Sequence, residues 1–314
     1  MDRGAWVDPV ESYERSLAAP SASADVDSLR AALDLHDAAC ASGNTAACVD
    51  LGIDYEQGRG VPVDATKAAT LFGGACDRGV AAGCTNLAQL LDRGDGGPED
   101  AARAAALYQR GCEGGSPLGC NDLGLAYKDG LGVAQDDARA ARVFGRACDL
   151  GNADGCTNLG FLRAAGRGGP PDAALAEELY RRACDAGSGQ GCHNLGFRYE
   201  HGIGAVRSER TALPLYEKGC ALGVAGACDN LGNLYERGGE IARDADKAMA
   251  LFAKACALRD PTGCNNVGHM FELGRGAPQD DTLAAKYYGR ACDAGLALGC
   301  TNLGQLRRAG RGKP

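Results

Sequence analysis

The sequence predicts an all-α protein, an α-solenoid of eight disulfide-stapled helical hairpins. Two observations predict this fold. A pair of cysteines with seven residues between them recurs every 36 residues, and a fixed period in this range is typical of repeat arrays. The chain also contains 48 glycines and only 5% aromatic residues, a composition poorly suited to one large compact core.

The cysteines set the register of the array. Every pair has the form C-x7-C, and no insertion interrupts the period. Residues 28–314 therefore form the predicted solenoid, whereas residues 1–27 lie outside the pattern as an N-terminal tail that we expect to be flexible. The pairs are Cys40–Cys48, Cys76–Cys84, Cys112–Cys120, Cys148–Cys156, Cys184–Cys192, Cys220–Cys228, Cys256–Cys264 and Cys292–Cys300.

The unit that starts at Cys148 illustrates the predicted helices of each repeat. Asp172 is placed to cap a helix, because its side chain can accept from free N–H groups at a helix start. Gly151 suits a left-handed residue that ends the preceding helix. We call the helix after the second cysteine helix A and the helix before the first cysteine helix B. Gly160 lies inside helix A, where its recurrence implies close contact between helices.

The cysteine spacing favours disulfides over a metal site or a redox centre. Residues eight apart in one continuous helix are separated by about 12 Å along its axis. A disulfide needs Cα atoms within roughly 7 Å, so the chain must reverse between the two cysteines. Zinc and redox centres usually show C-x-x-C, which this sequence lacks, although both remain alternatives. We expect no cofactor and no bound metal.

Composition also bounds the compartment and the partners. Sixteen patterned cysteines indicate an oxidising compartment, either the periplasm or the outside of the cell. The N-terminus lacks the basic start and apolar core of a secretory signal. Either the signal is missing from this chain or removed, as we expect, or export uses another route, or the thiols stay reduced. The net charge of −8 argues against nucleic-acid binding. We expect a monomer with no membrane span, because no apolar run reaches about 18 residues.

The segment GCTNLGFLRAAGRGGPPDAALAEELYRRACDAG (155–187) and its copies resemble the Sel1-like repeat, a relative of the tetratricopeptide repeat. The C-x7-C form resembles the cysteine-rich Hcp-type proteins of bacteria. The resemblance covers about residues 28–314 and implies an exported solenoid that binds proteins or extended peptides on its concave surface. It also implies two alternatives. One is a β-lactam (penicillin)-binding protein or weak β-lactamase, and the other is an assembly factor with haem or thiol-redox chemistry.

Motif analysis predicts no catalytic residues. The sequence contains none of the S-x-x-K, S-D-N and K-T-G motifs of a serine β-lactamase. It also lacks H-E-x-x-H and the C-x-x-C-H motif of haem attachment. We therefore expect a binding protein rather than an enzyme. If the protein is an enzyme, the resemblance points to a weak β-lactamase-like hydrolase.

One face of helix A is the predicted binding surface. Positions two, five and nine after the second cysteine share this face, and the apolar positions share the opposite one. Asn predominates at position two, where it can bind an extended peptide backbone or the local backbone. Position five varies, and we expect its two Phe residues to form an exposed aromatic patch. The predicted binding residues are Asn158, Phe161, Asn194, Phe197, His201, Asn230, Asn233, Asn266 and His269.

Overall fold

The computed structural model describes residues 8–18 and 26–312, and every regular element in these ranges is an α-helix. Helix α1 (Pro9–Ala18) precedes eight hairpins, each formed by a helix B and the helix A that follows it. The B helices are α2 (Val26–Ala41), α4 (Ala65–Asp77), α6 (Ala101–Glu113), α8 (Asp137–Asp149), α10 (Ala173–Asp185), α12 (Glu209–Ala221), α14 (Ala245–Ala257) and α16 (Asp281–Asp293). The A helices are α3 (Thr45–Gln57), α5 (Ala81–Arg93), α7 (Pro117–Asp129), α9 (Ala153–Ala165), α11 (Gly189–His201), α13 (Ala225–Arg237), α15 (Pro261–Leu273) and α17 (Ala297–Arg308). The predicted all-α solenoid fold is confirmed.

The helices belong to two compact units. Unit 1 contains α1 and α11–α17, and unit 2 contains α2–α10. Within each unit, consecutive helices pack against one another, as expected of a repeat array. In the described part of the chain, no helix is both long enough and apolar enough to cross a membrane.

The N-terminal tail contains a helix where the sequence predicts a flexible segment. Residues 9–18 form α1, which packs against α14 in unit 1. Val10 is completely buried there. The remaining tail residues, 1–7 and 19–25, lie outside the described residues, and the first helix B begins at Val26 instead of Ser28. The contact joins positions more than 200 residues apart, so no local pattern could predict it.

All sixteen cysteines are disulfide-bonded, as predicted. Seven of the pairs have Cα–Cα distances of 4.4–4.7 Å, and Cys184 and Cys192 are disulfide-bonded as well. The chain reverses between the two cysteines at a residue with φ of 67–96° in every hairpin. This residue is Gly in seven hairpins and Arg259 in the eighth. The bridge therefore ties the end of helix B to the first turn of helix A.

The predicted capping residues occupy the starts of the B helices. In six B helices an Asp side chain accepts a hydrogen bond from the backbone N–H three residues further on. Each bond satisfies a donor that the helix leaves unpaired. These residues are Asp64, Asp100, Asp136, Asp172, Asp244 and Asp280.

The glycine inside helix A makes room for an aromatic ring from the next helix B. A Cβ atom on this glycine would lie 2.4–2.9 Å from a ring atom in six repeats. Most of these rings are completely buried. The pairs are Gly52 with Phe72, Gly124 with Phe144, Gly160 with Tyr180, Gly196 with Tyr216, Gly232 with Phe252 and Gly268 with Tyr288. The close helix contact predicted from these glycines is confirmed.

Candidate functional site

An open polar cavity of about 630 Å³ lies beside the A helices of unit 1. Four of the predicted binding residues line it, and they come from two adjacent A helices, α11 and α13. Charged residues from α11, from α13 and from the turns that follow α13 and α15 complete the wall. The lining residues are Phe197, Glu200, His201, Asn230, Asn233, Glu236, Arg237, Arg243 and Arg275.

Phe197 and His201 form the aromatic part of the cavity wall. They lie one helical turn apart on α11, and their rings stack with centroids 4.1 Å apart. Nδ1 of His201 lies 3.0 Å from the carbonyl oxygen of Phe197 and donates to it, because a carbonyl oxygen can only accept. This hydrogen bond fixes the imidazole orientation. The Phe197 side chain is 40% exposed and is available to a ligand.

Arg237 bridges two buried carboxylates at the edge of the cavity. Its Nη2 atom lies 3.1 Å from Oε1 of Glu200 and 2.9 Å from Oε1 of Glu209. The hydroxyl of Tyr216 donates to Oε2 of Glu200 at 2.7 Å. Burial raises the pKa of Tyr216, and the hydrogen bond to Glu200 raises it further, so the hydroxyl keeps its proton. Nη2 of Arg207 also lies 3.1 Å from Oε1 of Glu209, so two cations balance the two carboxylates on this side of the cavity.

The other charged side of the cavity contains one cation without a carboxylate partner. Arg275 Nη1 lies 3.3 Å from Oε1 of Glu236, and Nδ1 of His269 lies 3.9 Å from the same oxygen. By contrast, the ion pairs found between described residues include none with Arg243, which also lines the cavity. The guanidinium of Arg243 is therefore the group in this wall best placed to receive an anion.

The asparagines at position two connect successive repeats. In four of the six, the amide nitrogen lies within hydrogen-bond distance of the residue at position one of the preceding repeat, at 2.8–3.1 Å. The pairs are Asn158 with Asn121, Asn230 with His193, Asn266 with Asp229 and Asn302 with Asn265. Asn194 instead accepts from Gln190 at 2.8 Å. The structure thus uses four of these amide nitrogens between repeats, and peptide binding by the asparagines stays a prediction.

Asp229 is a buried carboxylate next to the cavity that sequence reasoning missed. It accepts hydrogen bonds from Nδ2 of Asn266 at 2.8 Å and of Asn233 at 3.0 Å. Burial, with a smaller contribution from the carboxylate of Asp260, raises the pKa of Asp229 to about 7. A polar residue recurs at position one, as in Asn121 and Asn265. That recurrence is the sequence signal that could have predicted buried polar residues at position one.

The remaining predicted site residues lie outside the cavity wall. Asn266 donates to Asp229, which also accepts from the lining residue Asn233. Nδ1 of His269 lies 3.9 Å from the carboxylate of Glu236, another lining residue. Asn158 and Phe161 belong to unit 2, where the Phe161 side chain is 49% exposed. The aromatic patch that would include both Phe161 and Phe197 stays a prediction. Within residues 8–18 and 26–312, no cluster of three or more His, Cys, Asp or Glu side chains has an arrangement that could hold a metal ion.

Helical hairpins that recur every 36 residues define an α-helical repeat protein, and the cavity lies on the A helices of its repeats. The Sel1 repeat model matches seven consecutive segments, 45–80, 81–116, 117–152, 153–188, 189–224, 225–260 and 261–296. The chain belongs to the Sel1 repeat family, whose members are generally protein-interaction scaffolds. Each match starts three residues before a second cysteine, so each disulfide between matched segments joins one family repeat to the next.

Several solved structures are similar to this chain. A protective antigen of uropathogenic Escherichia coli strains that displays an SLR fold shares 25% identity, with 90% of this chain and 68% of that chain covered and a TM-score of 0.58. The Sel1 repeat protein from Oxalobacter formigenes shares the fold at 21% identity, with 95% and 86% covered and a TM-score of 0.70. The cysteine-rich protein B of Helicobacter pylori shares 27% identity over 42% of this chain and 94% of that chain, with a TM-score of 0.35. No curated protein matches the chain.

Proposed function

We propose that this chain is a scaffold that binds an extended peptide segment of another protein along the A helices of unit 1. The observation that carries the proposal is the cavity, in which the exposed ring of Phe197 and the unpaired guanidinium of Arg243 share one wall. An aromatic surface beside an available cation suits a segment with an apolar side chain next to a carboxylate. The family's general role in protein interaction supports the same class of function.

The hydrogen bonds of the cavity wall suit recognition by a preformed site. Asn233 is held by Asp229, and His201 is held by the carbonyl of Phe197. Arg237 is fixed between Glu200 and Glu209. Side chains held in this way lose less conformational entropy when a ligand binds. We propose no second function, because no contact in the described residues favours β-lactam or haem chemistry.

The test is site-specific photo-crosslinking at cavity positions, with the variants Phe197→Asp and Arg243→Glu. We expect each variant to reduce partner crosslinking at least tenfold, since each removes a different part of the wall. Leu298→Asp is the matched control, because Leu298 is 53% exposed in the same unit but does not line the cavity. Equal crosslinking by wild type and both cavity variants would show that the partner binds elsewhere.

We also propose that the protein acts in an oxidising compartment outside the cytoplasm, either the periplasm or the extracellular medium. The support is that every cysteine is bridged, and such density is typical of exported proteins. Protein isolated from its native source in the presence of an alkylating reagent should show all sixteen cysteines protected. Alkylation of several cysteines without prior reduction would contradict this location.

A further inference from the structure

Helix α1 is bound in a groove between α14 and α16, on the B-helix side of unit 1. Val10 is completely buried in the core cluster that contains Met249 and Tyr287, and Tyr13 packs against the same cluster. The hydroxyl of Tyr287 donates to Asp8, which is itself 9% exposed. Apolar contact and a buried hydrogen bond therefore hold one edge of α1.

Asp8, directly before α1, and two carboxylates of α1 meet two cations of α16 in the α14/α16 groove. Nζ of Lys286 lies 3.2 Å from Oδ2 of Asp8 and 2.8 Å from Oε1 of Glu11. Nη2 of Arg290 lies 2.6 Å from Oε1 of Glu14. These pairs follow one side of α1 at helical spacing. The groove is thus occupied by an acidic amphipathic helix.

An equivalent groove lies in unit 2, between α6 and α8, with residues of α7 at its base. Four repeats separate the two grooves, so Arg142, Val143 and Arg146 correspond to Lys286, Tyr287 and Arg290. The structure has an open cavity of about 330 Å³ at this place. Its lining residues are Gln109, Cys112, Glu113, Leu123, Tyr127, Arg139, Arg142, Val143 and Arg146.

The pair of cations in this groove is specific to two of the eight B helices. Only α8 and α16 have a basic residue at both of the positions that contact the carboxylates of α1. The corresponding pairs in the other B helices are Asp34 and Ala38, Thr70 and Gly74, Ala106 and Arg110, Glu178 and Arg182, Pro214 and Lys218, and Ala250 and Lys254. The repeat pattern therefore does not explain why α8 has two basic residues at these positions.

The cations of α8 lack the carboxylates that their counterparts on α16 have. Arg146 donates to the backbone carbonyl of Glu113 at 3.1 Å. The ion pairs between described residues include none with Arg142 or Arg146. Leu123, Tyr127 and Val143 supply the apolar part of the groove. The groove also contains Glu113, whose carboxylate accepts from Gln109 at 2.8 Å. Arg139 pairs with Asp136 at 3.2 Å, and the remaining cations, Arg142 and Arg146, outnumber Glu113.

We propose that the α6/α8 groove binds an acidic amphipathic helix of a partner protein. The helix has the chemistry of α1, with an aliphatic and an aromatic residue three positions apart and carboxylates along one side. Its apolar pair packs on Leu123, Tyr127 and Val143, and its carboxylates pair with Arg142 and Arg146. This site lies between two B helices, with α7 contributing Leu123 and Tyr127, and does not depend on the proposed cavity in unit 1.

The test is fluorescence anisotropy of a labelled synthetic peptide with the sequence of residues 8–18, titrated with the oxidised full-length protein. We expect the double variant R142E/R146E to weaken peptide affinity at least tenfold, because it reverses both charges. R182E is the matched control, since Arg182 occupies the position of Arg146 on α10, and should leave affinity unchanged. F197D should also leave affinity unchanged, which separates this site from the A-helix cavity.

Three results would overturn the proposal. The first is the absence of peptide binding to the wild-type protein. The second is binding that is unaffected by R142E/R146E but lost in K286E/R290E, which would place the peptide in the α14/α16 groove. The third is a concentration-dependent dimer in analytical ultracentrifugation that R142E/R146E abolishes, because a second copy of the chain would then be the occupant.

Discussion

A methyl group added to Gly232 would lie 2.6 Å from Cε1 of Phe252, far closer than two unbonded carbon atoms can approach. Phe252 is completely buried. The helix propensity lost by placing Gly inside α13 is therefore offset by the ring that packs against it. This relationship makes the glycine a packing residue, and it gives a direct test of the repeat interface.

Gly232→Ala should lower the free energy of unfolding by about 1–3 kcal/mol, the usual cost of overpacking a core. Gly304→Ala is the matched control, because Gly304 occupies the same repeat position but a Cβ there would meet no atom within 4 Å. The control should instead stabilise the protein by up to about 1 kcal/mol through helix propensity. Urea unfolding of the oxidised proteins measures both changes. The same sign for both variants would contradict the packing explanation.

Arg259→Gly should stabilise the protein by about 1 kcal/mol. Arg259 is the only non-glycine residue with positive φ in the described ranges, at 67°, where an L side chain is strained. Gly223→Ala places a side chain at the equivalent turn, where φ is 84°, and should destabilise the protein by a similar amount. Thermal unfolding monitored by circular dichroism compares the variants. A lower melting temperature for Arg259→Gly would refute the prediction.

Asp229→Asn should remove a pH-dependent loss of stability. The folded pKa of about 7 exceeds the unfolded value of about 3.9, so the folded state favours protonated Asp229. Asp229 therefore makes the wild type less stable as the pH rises from about 4 to 7, and this loss persists at higher pH. Asn can occupy this position, since Asn121 and Asn265 accept the same inter-repeat hydrogen bond.

The measurement is the difference in unfolding free energy between Asp229→Asn and wild type across this pH range. We expect the variant's relative stability to increase with pH and to reach an advantage of about 1–3 kcal/mol at pH 8. Because both proteins share every other titrating group, the difference cancels the contributions of those groups to the pH dependence. A difference that is constant from pH 4 to 8 would show that Asp229 has an ordinary pKa in the folded protein.

Arg237→Ala should destabilise unit 1 by about 2–3 kcal/mol. It removes the cation that pairs with the buried carboxylate of Glu200, whereas Glu209 keeps Arg207 at 3.1 Å. The half exposure of Arg237 moderates the cost. Arg182→Ala is the control, because Arg182 has similar exposure but faces the exposed carboxylate of Asp149. Its effect should stay below about 1 kcal/mol. Chemical denaturation distinguishes the two variants, and equal effects would mean that the buried network contributes nothing.

The sequence by itself determined the features that repeat or that depend on near neighbours. The 36-residue period fixed the hairpins, and turn geometry required the chain to reverse between the cysteines, as between Cys148 and Cys156. The capping residues, such as Asp172, bond to backbone atoms three positions away. Short-range geometry of this kind recurs in every copy, so the pattern reveals it.

Only the tertiary structure decided which side chains meet between repeats and across long sequence distances. A single helical wheel places Asn266 on a face, but the stacking of α13 and α15 brings its amide to Asp229. The same stacking buries Asp229 and raises its pKa. The burial of Val10 against unit 1 depends on a contact that no period encodes. These contacts are set by the packing of helices that are distant in the chain, and local sequence does not specify them.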